Sequence, residues 1–240
     1  MKTEPLFNQK KLFRSIILTV FYSLFFTVNI NAFGRALPDS IPLKVLVLGN
    51  SIAWHGAKPA VGWKGNWGMA ASAAEKDFVH LLKGKVKATS PQTEFQWANI
   101  ADSFERKFWK YESKDFKKFS DWNPDLIILE IGENINDTLA VKHMLGEHLD
   151  RFVKELSAGK QVKICLAGSF WPNQHVDQIM KAACARNNWI YVDLQGLYED
   201  RNKNTAIQHY QNKGVGMHPS DAGMEQITNR IWNEIQHLFK

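Results

Sequence analysis

Residues 43–51 read Leu43-Lys44-Val45-Leu46-Val47-Leu48-Gly49-Asn50-Ser51. From Val45 to Leu48 no polar side chain is left for a solvent face, the pattern of a parallel strand covered by helices on both sides. Gly49-Asn50-Ser51-Ile52 then turns the chain and leaves a serine at the carboxyl end of that strand. Further along, Leu126–Ile131 and Val162–Ala167 are nearly continuous apolar runs, and Phe95–Ile100 and Ile190–Leu194 complete five predicted strands. Helical spacing occupies the intervals. Residues 68–86 carry Ala70, Ala71, Ala74, Phe78, Leu81 and Leu82 on one face, and Leu139–Leu156 and Asp177–Asn187 follow. Ser220–Phe239 opens on a Ser220 or Asp221 cap with Glu225 in its first turn. The alternation predicts an α/β fold, a three-layer α/β/α sandwich on a five-stranded parallel sheet. Right-handed crossovers then bring all five carboxyl ends to one edge, where such sheets bind ligands. The polar stretch 199–217 lacks periodicity and reads as a loop of functional length.

The 240 residues fit one ordinary domain or two very small ones. A composition 45% hydrophobic and 22% charged excludes disorder and permits a full core. Of the formal charge of +6, half is contributed by Lys2, Lys10, Lys11 and Arg14 against Glu4, all before residue 33. That leaves no concentrated basic face for nucleic acid. Ser15 to Ile30 is uncharged and apolar, with Ile30 and Ala32 as the small residues of a cut after Ala32. A cationic start, a short apolar core and such an exit are the marks of a secretory signal. The apolar run falls short of the ~20 residues that span a bilayer. The expectation is an export signal over residues 1–32 and one domain over 33–240, secreted or periplasmic, with no stable membrane insertion after signal removal. Cys165 and Cys184 permit a disulfide in an oxidising compartment, and two buried thiols fit equally well.

The chemistry-bearing residues fall at predicted strand ends. Ser51 follows the first strand, Gly132-Glu133-Asn134 the third, and Met217-His218-Pro219-Ser220-Asp221 precedes the last helix. A serine, an asparagine and a histidine converging on one edge supply what acyl transfer needs: a nucleophile, its base and an amide donor for the oxyanion. The remaining histidines show no zinc spacing; His143 and His148, five apart, miss the helical i, i+4 pairing.

With these residues in order, the chain resembles the SGNH (GDSL-like) hydrolases and esterases, whose fold is flavodoxin-like. The matching blocks are Gly49-Asn50-Ser51, Gly68 in Trp67-Gly68-Met69, Gly132-Glu133-Asn134, and His218 with Pro219 behind it, and they span residues 43–239. The resemblance implies Ser51 as nucleophile and His218 as general base. It also implies an oxyanion hole of the Ser51 and Gly68 N–H groups with the Asn134 side-chain amide, and no cofactor or metal. Two positions depart from the family. Asn50 stands where the family usually has aspartate, and Val215 stands three residues before His218, where the triad acid is expected. The orienting role then falls to Glu133, to Asp193 at the end of strand five, or to a main-chain carbonyl; Asp221 belongs to the helix start.

Nine tryptophans are many for this length, and Trp54, Trp63 and Trp67 lie in the loop just after Ser51, with Trp171 after the fourth strand. They either pack beneath that loop or offer flat faces to a sugar or an acyl group; Trp97, Trp109, Trp122, Trp189 and Trp232 fit core patterns. Lys58, Lys64 and Asn66 add polar groups in the same loop. The function expected is an exported esterase releasing a small acyl group, acetyl first, from an oligosaccharide or other small carbohydrate ester. The alternatives are a lipid or thioester hydrolase of the same fold and a carbohydrate-binding relative without turnover.

Overall fold

Strand β1, Lys44–Gly49, lies inside the sheet. The structure is a computed structural model and describes residues 43–239; the expected export signal over 1–32 lies outside the described residues. Strands β2 (Glu94–Asn99), β3 (Leu126–Glu130), β4 (Lys163–Ala167) and β5 (Ile190–Val192) join β1 in the order β2-β1-β3-β4-β5. All four pairings are parallel, with Val45 opposite both Phe95 and Leu126. This is the flavodoxin-like order, and its switch point, where the crossovers change direction, lies between β1 and β3. The loops that follow those two strands are therefore the ones that splay apart to leave a crevice.

Strand alternation assigns the two cores. Val45, Val47, Ile128 and Cys165 face one side, against α1 (Phe78–Thr89) and α8 (Asp221–Ile235). Leu46, Leu48, Ile127 and Leu129 face the other, against α4 (Leu145–Leu156) and α5 (Gln174–Asn187). The second layer also holds an aromatic cluster in which Phe104 stacks on Phe152 at 4.0 Å between ring centroids. Cys165 belongs to the first core and Cys184, on α5, to the second, so the sheet separates them and both are buried free thiols. Four shorter α-helices, α2 (Lys117–Asp121), α3 (Asp137–Lys142), α6 (Arg201–Asn204) and α7 (Lys213–Gly216), and several 3-10 helices, among them Glu105–Lys110, complete the described chain. Among the described residues no helix is long and apolar enough to cross a membrane.

Three sequence expectations are corrected. The helix expected from residue 68 begins at Phe78, where the Asp77 carboxylate accepts the His80 N–H at 2.8 Å as its cap. Residues 68–77 instead form an irregular strap: Ala70 has φ +76°, and Met69 and Ala70 pack on Trp63 and Val215. The helix expected over 139–156 is split into α3 and α4 at Met144, whose φ is +52°. The 199–217 stretch, expected to be loop, contains α6 and α7. At the last helix Ser220 is the cap, accepting the Gly223 N–H, while Asp221 accepts from the N–H and hydroxyl of Ser72 and ties the strap to α8.

Candidate active site

Ser51 sits one turn beyond β1, and the turn is built by its neighbour. Asn50 is fully buried; its Oδ1 accepts the Ile52 N–H at 2.9 Å, an Asx-type bond that closes the turn. His218 arrives from the other end of the chain, on the segment between α7 and α8. Its Nε2 lies 2.8 Å from Ser51 Oγ, and its Nδ1 lies 2.8 Å from the carbonyl oxygen of Gly214. A carbonyl can only accept, so Nδ1 carries the hydrogen and Nε2 presents its lone pair to the serine hydroxyl. Burial, and behind it the nearby His55, lowers the His218 pKa to about 4, with the Gly214 carbonyl acting in the opposite direction. The imidazole is therefore neutral, and competent as a base, throughout the physiological range.

The third member expected at Glu133 is corrected. The Glu133 carboxyl accepts from the Phe170 N–H at 2.6 Å and from Asn50 Nδ2 at 2.7 Å, and it makes no bond to His218. Asp193 is engaged with the Gln195 N–H, and its alternative role is likewise replaced by the Gly214 carbonyl. Val215, at the family's acid position, is buried against Trp63, Met69 and Ala70, a site that cannot solvate a carboxylate.

Gly68 also departs from its expected role. Its N–H donates to Asp77 Oδ2 at 3.0 Å and so is not free for an oxyanion. The glycine is required by packing: a Cβ there would lie 2.5 Å from the Ile52 carbonyl oxygen. Two of the three expected donors are left, the Ser51 N–H and the Asn134 amide. Asn134 shares with Ser51 and His218 a cleft of about 860 Å³, also lined by Trp54, Arg106 and Trp171. Its Nδ2 donates to Glu105 Oε2 at 2.9 Å, and its Oδ1 accepts from Arg106 Nη2.

The tryptophans divide. Trp171 lines the cleft, sets its ring edge against the His218 imidazole at 5.0 Å and 87°, and anchors its Nε1 on the Met217 carbonyl at 3.1 Å. Trp54 lines the cleft and is partly exposed. Trp63 is corrected from substrate contact to core: it is only 2% exposed, bonds its Nε1 to the His55 carbonyl and packs edge-on against Trp67. Trp67 is corrected likewise, half-buried with its Nε1 on the Ala71 carbonyl. Lys58 lines the cleft; Lys64 and Asn66 are not among its lining residues.

Behind the serine lies a group of three carboxyls that sequence reading missed. Glu105 accepts from the Gly132 N–H at 2.7 Å and from Asn134 twice, and Asn50 Nδ2 is 3.5 Å away. Glu130 is fully buried, and neither of its carboxyl oxygens has a hydrogen-bond partner among the described residues. Burial raises the pKa of all three; neighbouring carboxylates add to the rise at Glu130 and at Glu133, which is pushed up to about 8, while at Glu105 the hydrogen bonds from Gly132, Asn134 and Asn50 oppose it. Like charges held this close favour keeping protons on the cluster at neutral pH. Asn50 is thereby explained: an amide donates into this acidic pocket, where the family's usual aspartate would add a further carboxylate. The signal in the sequence was the spacing Glu130, Glu133 around a glycine, but Glu105 joins only through the fold. Among the described residues no group of three or more His, Cys, Asp or Glu side chains is arranged to hold a metal ion.

No protein-family profile matches the chain. No curated protein matches it in sequence. Solved structures do match in fold. A two-domain esterase active on acetylated mannans superposes at TM-score 0.58 with 15% identity, covering 83% of this chain and 51% of its own. A candidate GDSL-like lipase from Bacteroides uniformis gives TM-score 0.53 at 15% identity over 82% of this chain and 97% of its own. An acetyl xylan esterase gives 0.51 at 17% identity, over 80% and 98%. This chain thus spans about half the length of the mannan esterase. The resemblance to the SGNH-type, GDSL-like hydrolases read in the sequence blocks extends to the fold, the three-layer sandwich on a five-stranded parallel sheet.

Proposed function

We propose that this chain is a serine esterase that removes a small acyl group, acetyl first, from a carbohydrate. The observation that carries the reading is the 2.8 Å contact between Ser51 Oγ and the neutral Nε2 of His218 at the floor of an open cleft. Nε2 takes the hydroxyl proton as Oγ attacks the ester carbonyl, and the carbonyl electron pair moves onto oxygen. The Ser51 N–H and the Asn134 Nδ2–H receive that oxyanion, each such donor worth about 3 kcal/mol in the transition state. As the intermediate collapses, the bond to the sugar oxygen breaks and His218 returns the proton to it. A water then attacks the acyl-enzyme, giving its proton to His218, and the acid leaves as Ser51 recovers its hydroxyl hydrogen.

A cleft flanked by Trp54 and Trp171 with polar neighbours suits a hydroxylated leaving group such as a sugar better than a long acyl chain. The fold shared with esterases of acetylated mannan and acetyl xylan supports the same substrate class. Export to the periplasm or beyond, where such glycans occur, rests on the charge and hydropathy pattern of residues 1–32. The test is hydrolysis of p-nitrophenyl acetate and octanoate, and acetate release from acetylated mannan and xylan, by the wild type beside Ser51→Ala. Acetate hydrolysis abolished in Ser51→Ala supports the reading. Equal rates in the two proteins would sink the mechanism, and preference for octanoate would sink the carbohydrate assignment.

A further inference from the structure

We infer that Glu105 and Arg106, the first two residues of the 3-10 helix Glu105–Lys110 that follows β2, form a two-ended clamp that sets the orientation of the Asn134 amide. The inference rests on the esterase reading above and extends it to positioning residues. Glu105 takes hold of the nitrogen end, accepting from Asn134 Nδ2 at 2.9 Å, and Arg106 takes the oxygen end through Nη2. The two partners are chemically one-way. A guanidinium has only donors, so the atom facing Arg106 must be the amide oxygen; the carboxylate facing Nδ2 prefers the amide nitrogen. An amide rotated by half a turn about χ2 would face donor with donor and acceptor with acceptor.

The clamp matters because Asn134 is useful to an oxyanion only with nitrogen toward it; with oxygen toward it, the residue repels the developing charge. Glu105 is fully buried and also accepts the N–H groups of Gly132 and Asn134, so it fixes the backbone of the loop as well as the side chain. Gly132 allows this path, with φ at +134° and no room for a Cβ beside Ser169. Arg106 is held in turn by Asp102 at 2.6 Å and lines the cleft rather than the core. Glu105 is thus the structural half of the clamp and Arg106 the half that can be altered without emptying the interior. Neither needs to touch substrate; both act through Asn134.

The test is a double-mutant cycle with Arg106→Ala, Asn134→Ala and the pair, read by kcat and KM for p-nitrophenyl acetate and by the rate of Ser51 labelling with a fluorophosphonate. Arg106→Ala is expected to lower kcat and the labelling rate by about 10-fold or more with KM held within about twofold, and Arg106→Lys to recover most of the loss. In the Asn134→Ala background, Arg106→Ala is expected to cost nothing further. Full multiplication of the two single losses, or an unchanged Arg106→Ala rate, would overturn the clamp. A readout independent of turnover is the Asn134 side-chain amide pair in a 15N–1H spectrum, identified by its loss in Asn134→Ala. The pair should move toward exposed-amide positions in Arg106→Ala; a pair that stays in place overturns the clamp even if the esterase reading stands. Activity retained by Ser51→Ala would overturn the esterase reading while leaving this spectral result intact.

Discussion

His218 Nδ1 lies 2.8 Å from the carbonyl oxygen of Gly214, four residues earlier in α7, so the base is oriented by main chain and not by a carboxylate. A neutral partner fixes the tautomer as an acid would, but it contributes no negative charge to raise the imidazole pKa. Burial is therefore unopposed by an ion pair, and the pKa falls to about 4.

The acid limb of kcat/KM should accordingly fall near pH 4 rather than near the 6.5 of an ordinary histidine. A pH–rate profile on an uncharged acetate ester measures it. A limb at 6.5 or above would contradict the buried, dipole-oriented base.

Val215→Asp supplies a carboxylate at the family's acid position but puts it into the apolar pocket of Trp63, Met69 and Ala70. Such an unpaired charge costs several kcal/mol or stays protonated. The expected outcome is a fall of about 2–5 kcal/mol in unfolding free energy by urea titration, with no gain in turnover. A faster and equally stable variant would show that the pocket tolerates a triad.

Asn50→Asp likewise restores the family's residue and is expected to do harm. It removes the Nδ2 donor that Glu133 accepts at 2.7 Å and adds a further carboxyl beside Glu105 and Glu133. A loss of about 2 kcal/mol or more is expected. The aspartate oxygen can still accept the Ile52 N–H, so Ser51 should slow only as far as repulsion from Glu105 and Glu133 shifts the turn. Denaturant unfolding and fluorophosphonate labelling report the two effects separately, and wild-type values in both would remove Asn50 from this role.

Stability should decline as pH rises from 6.5 to 9. The Glu133 pKa is raised in the fold to about 8 from an ordinary 4.5, and that of Glu130 well above 4.5. A carboxyl of raised pKa contributes stability that is whole below 4.5 and is lost as pH climbs through the folded value. His218 has the opposite sign, its lowered pKa making stability rise with pH between about 4 and 6.5, so the window above 6.5 is free of its contribution, and Glu133→Gln separates the carboxyl from the buried thiols of Cys165 and Cys184. Melting temperatures across that window should fall in the wild type and fall less in Glu133→Gln. Parallel curves would place the titration elsewhere.

The strand runs were readable because a β-strand covered on both faces needs local apolar continuity, which Val45–Leu48 has and which Leu126–Ile131 and Val162–Ala167 have but for Glu130 and Lys163. The false helix over 68–77 shows where the same logic stops. Its alanines have helical spacing, yet Ala70 takes a positive φ in a strap that Trp63 and Val215 pack against from outside the segment and that the buried Asp77 carboxylate ties at the Gly68 N–H. The tryptophans show it again, since adjacency in a loop did not separate Trp63, turned into the core, from Trp54, turned into the cleft.

The sequence by itself determined the sheet, the edge on which the chemistry falls, and the three residues Ser51, Asn134 and His218, because strand ends and their turns are specified by neighbouring residues. Only the tertiary structure decided which group faces the imidazole, which N–H groups are free for an oxyanion, and that Glu105 meets Glu133 around Asn50. The last of those joins segments up to 83 residues apart, from Asn50 to Glu133. A donor can be assigned only when its acceptor is known, and that acceptor is supplied by packing rather than by spacing along the chain.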